Sequence, residues 1–331
     1  MKNLIVLLGL IVAGTVNGTD HDAVWGARNG AAARIDFQVV DTAGNPVVGA
    51  EVRIGYTVDH PRLKKWKEAF VTDASGCVTA KGYVNRSIGI SVDKDGYYES
   101  FEKIILPKTK SEPAIVDGKW QPYGEKRKIV LKQYKNPIDM PGISEYWDAD
   151  IPVFGEWIPF DIEKSSWVAP YGNGKQNDVL LRFELKEGEN KYWDYFATME
   201  ISFTNSVFGG FYIEKKDDHS EMVNAYTADT TREFVPYAKF FFDGNDVSGR
   251  QRFRLDDDEY MVFRTRTRVD DNGNLVSAHY GKFLGCWSFK REMRIKASSF
   301  NLTPNDTNLE DMETCVRSQQ RRKHERERRQ R

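Results

Sequence analysis

Arg250, Arg252 and Arg254 alternate along one extended run of the chain, and Arg264, Arg266 and Arg268 alternate along another, with Asp256, Asp257, Asp258 and Glu259 between them. A period of two puts each trio on one face of a strand. If Phe253 and Leu255 share the core face with Met261 and Phe263, opposed residues have the same parity and all six guanidinium groups stand on the outer face. Like charges directly opposed destabilise a sheet, so such a face needs anions from neighbouring strands or from a ligand. The segment Arg182-Phe183-Glu184-Leu185-Lys186 offers one such anion. Planar arginine forks match tetrahedral oxyanions, so the functional form of this pattern is recognition of a sulfated or phosphorylated polymer. The plainer form is an exposed face of mixed ion pairs, each worth about 0 to 1 kcal/mol.

A second concentration of chemistry runs from Tyr146 to Tyr171. It holds Tyr146, Trp147, Trp157, Phe160, Trp167 and Tyr171 among the carboxylates Asp148, Asp150, Glu156, Asp161 and Glu163. Flat rings stack on sugars while carboxylates accept hydrogen bonds from hydroxyls, so Trp147, Trp157, Trp167 and Tyr171 are candidate glycan contacts. Large aromatics in irregular segments also plug the open end of a β core, because each ring buries a large area. A glycosidase needs two carboxylates about 5 to 10 Å apart across a cleft. Their abundance here selects no pair, so no catalytic residue is assigned and turnover is not the expectation.

Metal and cofactor signals are absent from the sequence pattern. Asp270-Asp271-Asn272-Gly273-Asn274 and Asp243-Gly244-Asn245-Asp246 offer oxygen ligands, but neither continues into the twelve-residue calcium loop with its terminal glutamate, and turn formation accounts for both. His21, His60, His219, His279 and His324 are scattered, and no CxxC, HExxH, GxSxG, Walker or GxGxxG spacing occurs. No metal and no cofactor are expected.

The elements that position these residues read as strands and turns. Ile35, Phe37 and Val39 share one face of an extended segment, Asp41 to Asn45 supply turn chemistry, Pro46 suits the entry to an edge strand, and Val52 and Ile54 resume the alternation. Val71-Thr72-Asp73-Ala74-Ser75-Gly76-Cys77-Val78-Thr79 comes next, then Ile88-Gly89-Ile90-Ser91-Val92 and Asp95-Gly96-Tyr97-Tyr98. Together these motifs resemble the carboxypeptidase regulatory-like domain, a family similar in fold to transthyretin. The resemblance implies a non-catalytic antiparallel β-sandwich over residues 34–135, closing on the strand Lys128 to Lys132. Bacterial immunoglobulin-like repeats share DxxGxP turns and are the other reading of this domain. The chain departs from the family pattern in an insertion from Asp59 to Phe70 and in a polar loop from Pro107 to Gly124.

Asn136-Pro137-Ile138-Asp139-Met140-Pro141-Gly142 has the prolines and glycine of a domain boundary. Beyond it, alternating runs recur at Asp178 to Leu185, Phe196 to Phe203, Gly210 to Ile213, Ala238 to Phe242, Arg250 to Leu255, Tyr260 to Val269, Leu275 to Lys282 and Phe289 to Ile295. That spacing favours an antiparallel sandwich or jelly roll. Asn272-Gly273 between Val269 and Leu275 marks a tight hairpin. This half also resembles the second domain of certain secreted bacterial proteins of unassigned function, through Trp167 to Lys175, His279 to Lys282 and Thr303 to Asp306. That resemblance implies a fold and brings no chemistry.

Residues 1–18 have the form of a secretory signal, with Lys2, an apolar stretch from Leu4 to Ala13, and cleavage near Gly18. The stretch is too short to span a bilayer and no later run is apolar enough, so no transmembrane segment is expected. Cys77, Cys286 and Cys315 cannot all pair within one chain, and Cys77 and Cys286 read as small buried hydrophobes. The tail from Arg317 to Arg331 carries eight basic residues against two glutamates, on a chain whose net charge is −1. It reads as disordered or as a solvated helix.

The sequence therefore predicts an all-β protein of two antiparallel β-sandwich domains, the first transthyretin-like over 34–135 and the second jelly-roll-like over 143–312, with a basic tail at 317–331. The expected role is that of a secreted or periplasmic, non-enzymatic binding or structural protein. Its partner would be a glycan or other anionic polymer, met by the second domain. Nucleic acid is not an expected partner of an exported chain. The alternative is a carbohydrate-active hydrolase using carboxylates of the 146–171 region; a self-assembling surface component is a third reading.

Overall fold

A computed structural model describes residues 30–57, 66–84, 87–105, 115–143, 147–190, 194–216, 220–244, 259–284 and 288–330. Residues 1–18, read from the sequence as a secretory signal, the run Arg250 to Leu255 with its three arginines, Tyr146 and Cys286 lie outside the described residues. The chain forms two compact units, one of residues 1–92 and 101–129, the other of residues 93–100 and 130–331. Both are built from β-strands in mostly antiparallel sheets, which bears out the all-β expectation.

The first unit draws on β1 (Ala31–Asp41), β2 (Glu51–Thr57), β3 (Trp66–Val71), β4 (Cys77–Val84), β5 (Ser87–Asp93), β6 (Ser100–Ile105), β7 (Ile115–Val116), β8 (Lys119–Trp120) and β9 (Glu125–Leu131). One sheet has the order β4-β1-β8-β7 with β9 also on β1, and the other has the order β3-β2-β5-β6. Along β1, Ala31, Ala33, Ile35, Phe37 and Val39 are buried, and the residues between them face the opposite way. The turn after β1 forms as its residues dictate. The Asp41 carboxylate accepts the N–H groups of Ala43 and Asn45 at 2.9 and 2.8 Å, and Gly44 takes φ +87°, which a side chain would resist.

The second unit contains β10 (Trp147–Asp150), β11 (Trp157–Asp161), β12 (Ser166–Trp167), β13 (Val179–Glu187), β14 (Tyr195–Ser202), β15 (Gly210–Lys215), β16 (Tyr237–Asp243), β17 (Glu259–Val269), β18 (Leu275–Leu284), β19 (Ser288–Phe289), β20 (Glu292–Ile295) and β21 (Ala297–Phe300). A five-stranded sheet runs β12-β11-β13-β14-β16, a four-stranded sheet runs β15-β17-β18-β21, and β10-β20-β19 form a third. Inward residues of all three, among them Phe160, Phe183, Met199, Phe203, Phe263, Met293 and Phe300, make one apolar cluster. The hairpin between β17 and β18 closes as its sequence predicts, with Gly273 at φ +81° and the Asp270 carboxylate accepting the N–H groups of Asn272 and Asn274. The single run expected from Phe289 to Ile295 is two short strands, β19 and β20, which pair with each other through a tight turn.

Two sequence expectations need correction, and the tail, read as disordered or helical, is helical. The segment Asn136 to Gly142 is not a linker: it packs within the second unit, which resumes at Val130. Glu310 captures the N–H groups of Lys135 and Asn136 at 2.9 and 2.6 Å, Ile138 pairs with residues 310 and 312 through its backbone, and Met140 is buried. Proline and glycine ended the sheet pairing there without freeing the chain. The basic tail belongs to a helix, α1 (Met312–Gln330), which starts before Arg317. Asp311 caps it by accepting the Thr314 N–H at 2.8 Å, and its first turns bury Cys315 and Ser318. Among the cysteines, it is Cys315 that is buried, while Cys77 is half-exposed at the start of β4.

The start of α1 is fastened by a buried charge. Lys282, fully withdrawn from solvent in β18, donates to Asn224 Oδ1 at 2.9 Å, to the Leu309 carbonyl at 2.6 Å and to Asp311 Oδ2 at 2.7 Å. Three acceptors call for three N–H groups, so Nζ is the charged ammonium. Burial pushes the Asp311 carboxyl up, but the Lys282 charge and the Thr314 hydrogen bonds overcome it and leave the carboxyl below its ordinary range. Removing one partner strands the other. Asp311→Ala is expected to lower stability by about 3 to 5 kcal/mol, and Asp311→Leu with Lys282→Met to lower it much less. Urea unfolding midpoints check this; equal losses in the single and double variants would exclude the stranded charge as the cause.

Candidate functional site

The alternation that turns Leu181, Phe183, Met199, Ile201 and Phe240 into the core turns their neighbours outward on the five-stranded sheet. The register then lines them up. Trp157 on β11 lies opposite Arg182 on β13, Arg182 opposite Glu200 on β14, and Glu200 opposite Lys239 on β16. Flanking rows run Leu180, Ser202, Tyr237 and Glu184, Thr198, Phe241, with Lys186, Phe196 and Asp243 beyond. At ~4.8 Å per strand, the Trp157 to Lys239 row spans ~14 Å.

Glu200 is the hub. Arg182 Nη2 donates to both of its oxygens at 2.8 and 2.7 Å, the Tyr237 hydroxyl donates to Oε2 at 2.8 Å, and Lys239 Nζ to Oε1 at 3.1 Å. The carboxylate is almost fully buried under these groups. That burial raises the affinity of Glu200 for a proton, but hydrogen bonds from Arg182, Tyr237 and Lys239 outweigh it and hold the carboxyl below its usual range. The same carboxylate pushes the Tyr237 phenol up. Over the other side of Arg182 lies the Trp157 indole, with the guanidinium 4.9 Å from the ring. Phe196 and Phe241 stack at 6.0 Å. Trp157, Phe196 and Tyr237 remain 38%, 40% and 43% exposed, so the row presents rings and fixed polar groups to solvent together. The buried Arg182 Nε and Thr198 Oγ1 have no hydrogen-bond partner among the described residues.

Of the four aromatic candidates from the sequence, the fold separates two from the other two. Trp167 is buried, donates its Nε1–H to the Asp150 carbonyl at 3.1 Å, and meets Trp147, Phe160 and Phe183 edge to face. Trp147 packs against the same cluster. These two plug the core and are not glycan contacts. Trp157 and Tyr171 stay exposed, Trp157 on the sheet face and Tyr171 in the turn after β12.

The described arginines do not form the expected outer row either. Thr265 opposes His279 and Arg268 opposes Ser277, so two residues of β17 face one of β18 in a bulge, with Arg266 at φ +49°. The bulge swings Arg266 out of alternation. Its Nε and Nη2 donate to the two oxygens of Asp178 at 2.6 and 2.9 Å, its Nη1 donates to Glu163 at 2.9 Å, and its guanidinium lies 4.5 Å from the Phe300 ring. Arg264 donates to the Phe208 carbonyl at 2.7 Å and covers Phe234, and Arg268 alone is exposed. A one-residue insertion flips the face of every later residue in the strand, and alternation in the sequence cannot announce it.

The carboxylates of the 146–171 region are mostly occupied. Asp148 receives both Arg294 nitrogens at 2.5 and 3.1 Å, Asp161 accepts the N–H groups of Lys164, Lys175 and Gln176, and Glu163 receives Arg266 and Lys164. The Arg294 hydrogen bond holds Asp148 below the usual carboxylate range, and the Arg266 hydrogen bond does the same to Glu163. A general acid needs the opposite displacement. Among the described residues no cluster of His, Cys, Asp and Glu is arranged to hold a metal ion. No helix of the described residues is long and apolar enough to cross a membrane.

Sequence reasoning passed over Glu200, Tyr237 and Lys239 and named Arg182 only as part of a charged segment. Arg182, Glu200 and Lys239 stand in runs whose alternation was legible, and Tyr237 directly precedes one. Their alignment into one row depends on register, which no local signal fixes.

The chain matches no family model and no curated protein. Among solved structures it is similar to the 3-chlorocatechol 1,2-dioxygenase of Rhodococcus opacus 1CP, at 13% identity over 32% of this chain and 62% of that one, with a TM-score of 0.27. The hydroxyquinol 1,2-dioxygenase of Pseudomonas putida DLL-E4 shows 16% identity over 32% and 58%, with a TM-score of 0.24. The catechol 1,2-dioxygenase of Acinetobacter radioresistens shows 14% identity over 34% and 55%, with a TM-score of 0.26. The chain thus spans less than two thirds of each. At this level of likeness neither a fold family nor a chemistry can be carried over.

The charge balance of the row is open to measurement. A carboxyl carbon NMR titration is expected to place Glu200 below the ~4.3 of a free glutamate, so its contribution to stability is present above that pH and is lost as the pH falls through the lowered value. A Glu200 titration at or above ~4.3 would mean that Arg182 and Lys239 do not hold it in solution.

Proposed function

We propose that the chain is an exported, non-enzymatic recognition protein that binds glycan across the outer face of the five-stranded sheet in its second unit. The observation that carries this reading is the row Trp157, Arg182, Glu200, Lys239, in which an exposed indole and a fixed, charge-compensated polar set lie side by side on a rigid sheet. An indole offers a flat apolar surface to the C–H face of a sugar ring. Tyr237 and Lys239 offer hydrogen-bonding groups for its hydroxyls at positions already set by their bonds to the buried Glu200, which limits the ordering cost of binding. The first unit, by the resemblance of residues 34–135 to the carboxypeptidase regulatory-like domain, serves as a spacer or docking unit.

Hydrolysis is the alternative, and it draws on the carboxylates Asp150 and Glu156, which are exposed. The lowered values of Asp148 and Glu163 speak against either of those two as the general acid. Nucleic acid has no place in the reading, since an exported chain does not meet it. Secretion itself rests on the form of residues 1–18.

A glycan array with the purified chain, followed by titration of the best neutral oligosaccharide, tests the reading. Trp157→Ala is expected to weaken binding tenfold or more, about 1.4 kcal/mol, and Arg268→Ser to leave it unchanged. Release of reducing ends from the same oligosaccharide would favour the hydrolase instead. Unaltered affinity in Trp157→Ala would remove the sheet face as the site.

A further inference from the structure

The first unit carries a groove of about 630 Å³ on the outer face of the sheet that contains β4, β1 and β9. Its lining includes Arg34, Asp36 and Gln38 of β1, Thr79 of β4, and Lys126 and Lys128 of β9. Cross-strand pairing puts Asp36 opposite Thr79 and Gln38 opposite Cys77. Asp36 Oδ1 accepts the Thr79 hydroxyl at 2.5 Å, and Arg34 reaches the two carboxylate oxygens at 3.1 to 3.3 Å. The Thr79 hydroxyl, helped by the charges of Arg34 and Lys126, holds the Asp36 carboxyl below its usual range.

Arg34 and Asp36 therefore neutralise each other, and the unspent charge belongs to β9. Arg127 turns away from its neighbours to Glu102 and to Glu125, the latter at 3.0 Å. Lys126 and Lys128 are two apart, exposed, and without an ion pair among the described residues. The second acid of the lining, Asp73, is turned into its own loop, where Ser75 and the Cys77 N–H occupy it. The groove thus sets two lysines that make no ion pair among the described residues beside an acceptor, Asp36, an amide, Gln38, and a hydroxyl, Thr79. No aromatic platform is present among the described lining residues, because Phe37 shows only its backbone side to the groove and is 1% exposed.

We propose that this groove binds an acidic sugar, one whose carboxylate or sulfate meets Lys126 and Lys128 while its hydroxyls meet Asp36, Gln38 and Thr79. A bare dianion placed there is repelled by Asp36, whereas a hydroxyl donates to it. Lysine binds such a group as a point charge, so recognition is strongly salt-dependent. This site is independent of the sheet face in the second unit, and the sugar chemistry it selects is different: charge and hydroxyl pattern here, ring stacking there.

The test uses the full chain and a fluorescent sulfated heparin tetrasaccharide, read by polarization at low and physiological salt. Lys126→Ser with Lys128→Ser is expected to lower affinity at least tenfold with an unchanged circular dichroism spectrum. Lys103→Ser with Lys175→Ser, which removes two exposed charges elsewhere, is expected to change it less than twofold. Trp157→Ala is expected to leave it intact, which separates failure here from failure of the sheet-face reading. Arg328→Gln with Arg329→Gln in α1 is likewise expected to be silent. The proposal is overturned if the tetrasaccharide does not bind at low salt, if the α1 variant loses binding while the β9 variant keeps it, or if inorganic sulfate competes at the same concentration as the sugar.

Discussion

The contact of Arg266 with Asp178 sets the geometry on which the second unit depends. Asp178 precedes β13 in the five-stranded sheet and Arg266 lies in β17 of the four-stranded one, so the pair joins the two sheets through one buried carboxylate. Asp178 also accepts the Ile162 N–H at 3.0 Å, and its own N–H donates to the Phe160 carbonyl at 3.2 Å. The end of β11 is thereby held against the start of β13, in keeping with the register that sets Trp157 opposite Arg182. A left-handed conformation at a non-glycine residue costs about 1 to 3 kcal/mol and persists only where surrounding structure over-determines it. Here two charge-assisted bonds to Asp178, one to Glu163 and the Phe300 ring do so.

The same principle recurs wherever this unit withdraws a charge from water. Lys282 is met by three acceptors, Glu200 by Arg182, Tyr237 and Lys239, and Lys132 donates to the carbonyls of Met222 and Asn224 at 2.9 and 3.0 Å. A buried ion without such a set is far costlier than an apolar side chain in its place. The consequence is long-range fastening: Lys282 ties β18 to the segment that starts α1, and Glu310, the residue before Asp311, takes the Tyr98 hydroxyl at 2.9 Å. Stretches with little regular structure, 94–99, 132–142 and 301–311, form only isolated β-bridges and are held largely by polar contacts.

Both candidate surfaces use what this compensation leaves over. On the sheet face of the second unit the charges are spent on one another, and the exposed capacity is aromatic and hydrogen-bonding. In the groove of the first unit the pairing of Arg34 with Asp36 and of Arg127 with Glu102 and Glu125 leaves two lysines unspent. Neutral and acidic sugars are the ligands proposed for those two remainders. The carboxylate-rich stretch from Tyr146 to Tyr171, by contrast, is mainly architecture: Trp147, Phe160 and Trp167 pack into the core and several of its acids tie down turns.

The sequence by itself determined the class of the fold and its local punctuation. Period-two alternation marked β1, β13, β14, β16, β17 and β18 to within a few residues, and Asp41 to Asn45 and Asp270 to Asn274 closed their turns as side-chain chemistry requires, because these are contacts among near neighbours. It left β7, β8, β10, β12 and β21 unread, since strands of two to four residues are too short to display a period, and it also passed over β3, β6 and β11. Only the tertiary structure decided which outward residues stand in one row, because register and a single bulge relate residues far apart along the chain. It also decided that Trp147 and Trp167 fill a core while Trp157 faces solvent, and that residues 136–142 are packed and not a linker. Burial and partner choice are properties of what lies across the fold from a residue, and the identity of its neighbours along the chain does not contain them.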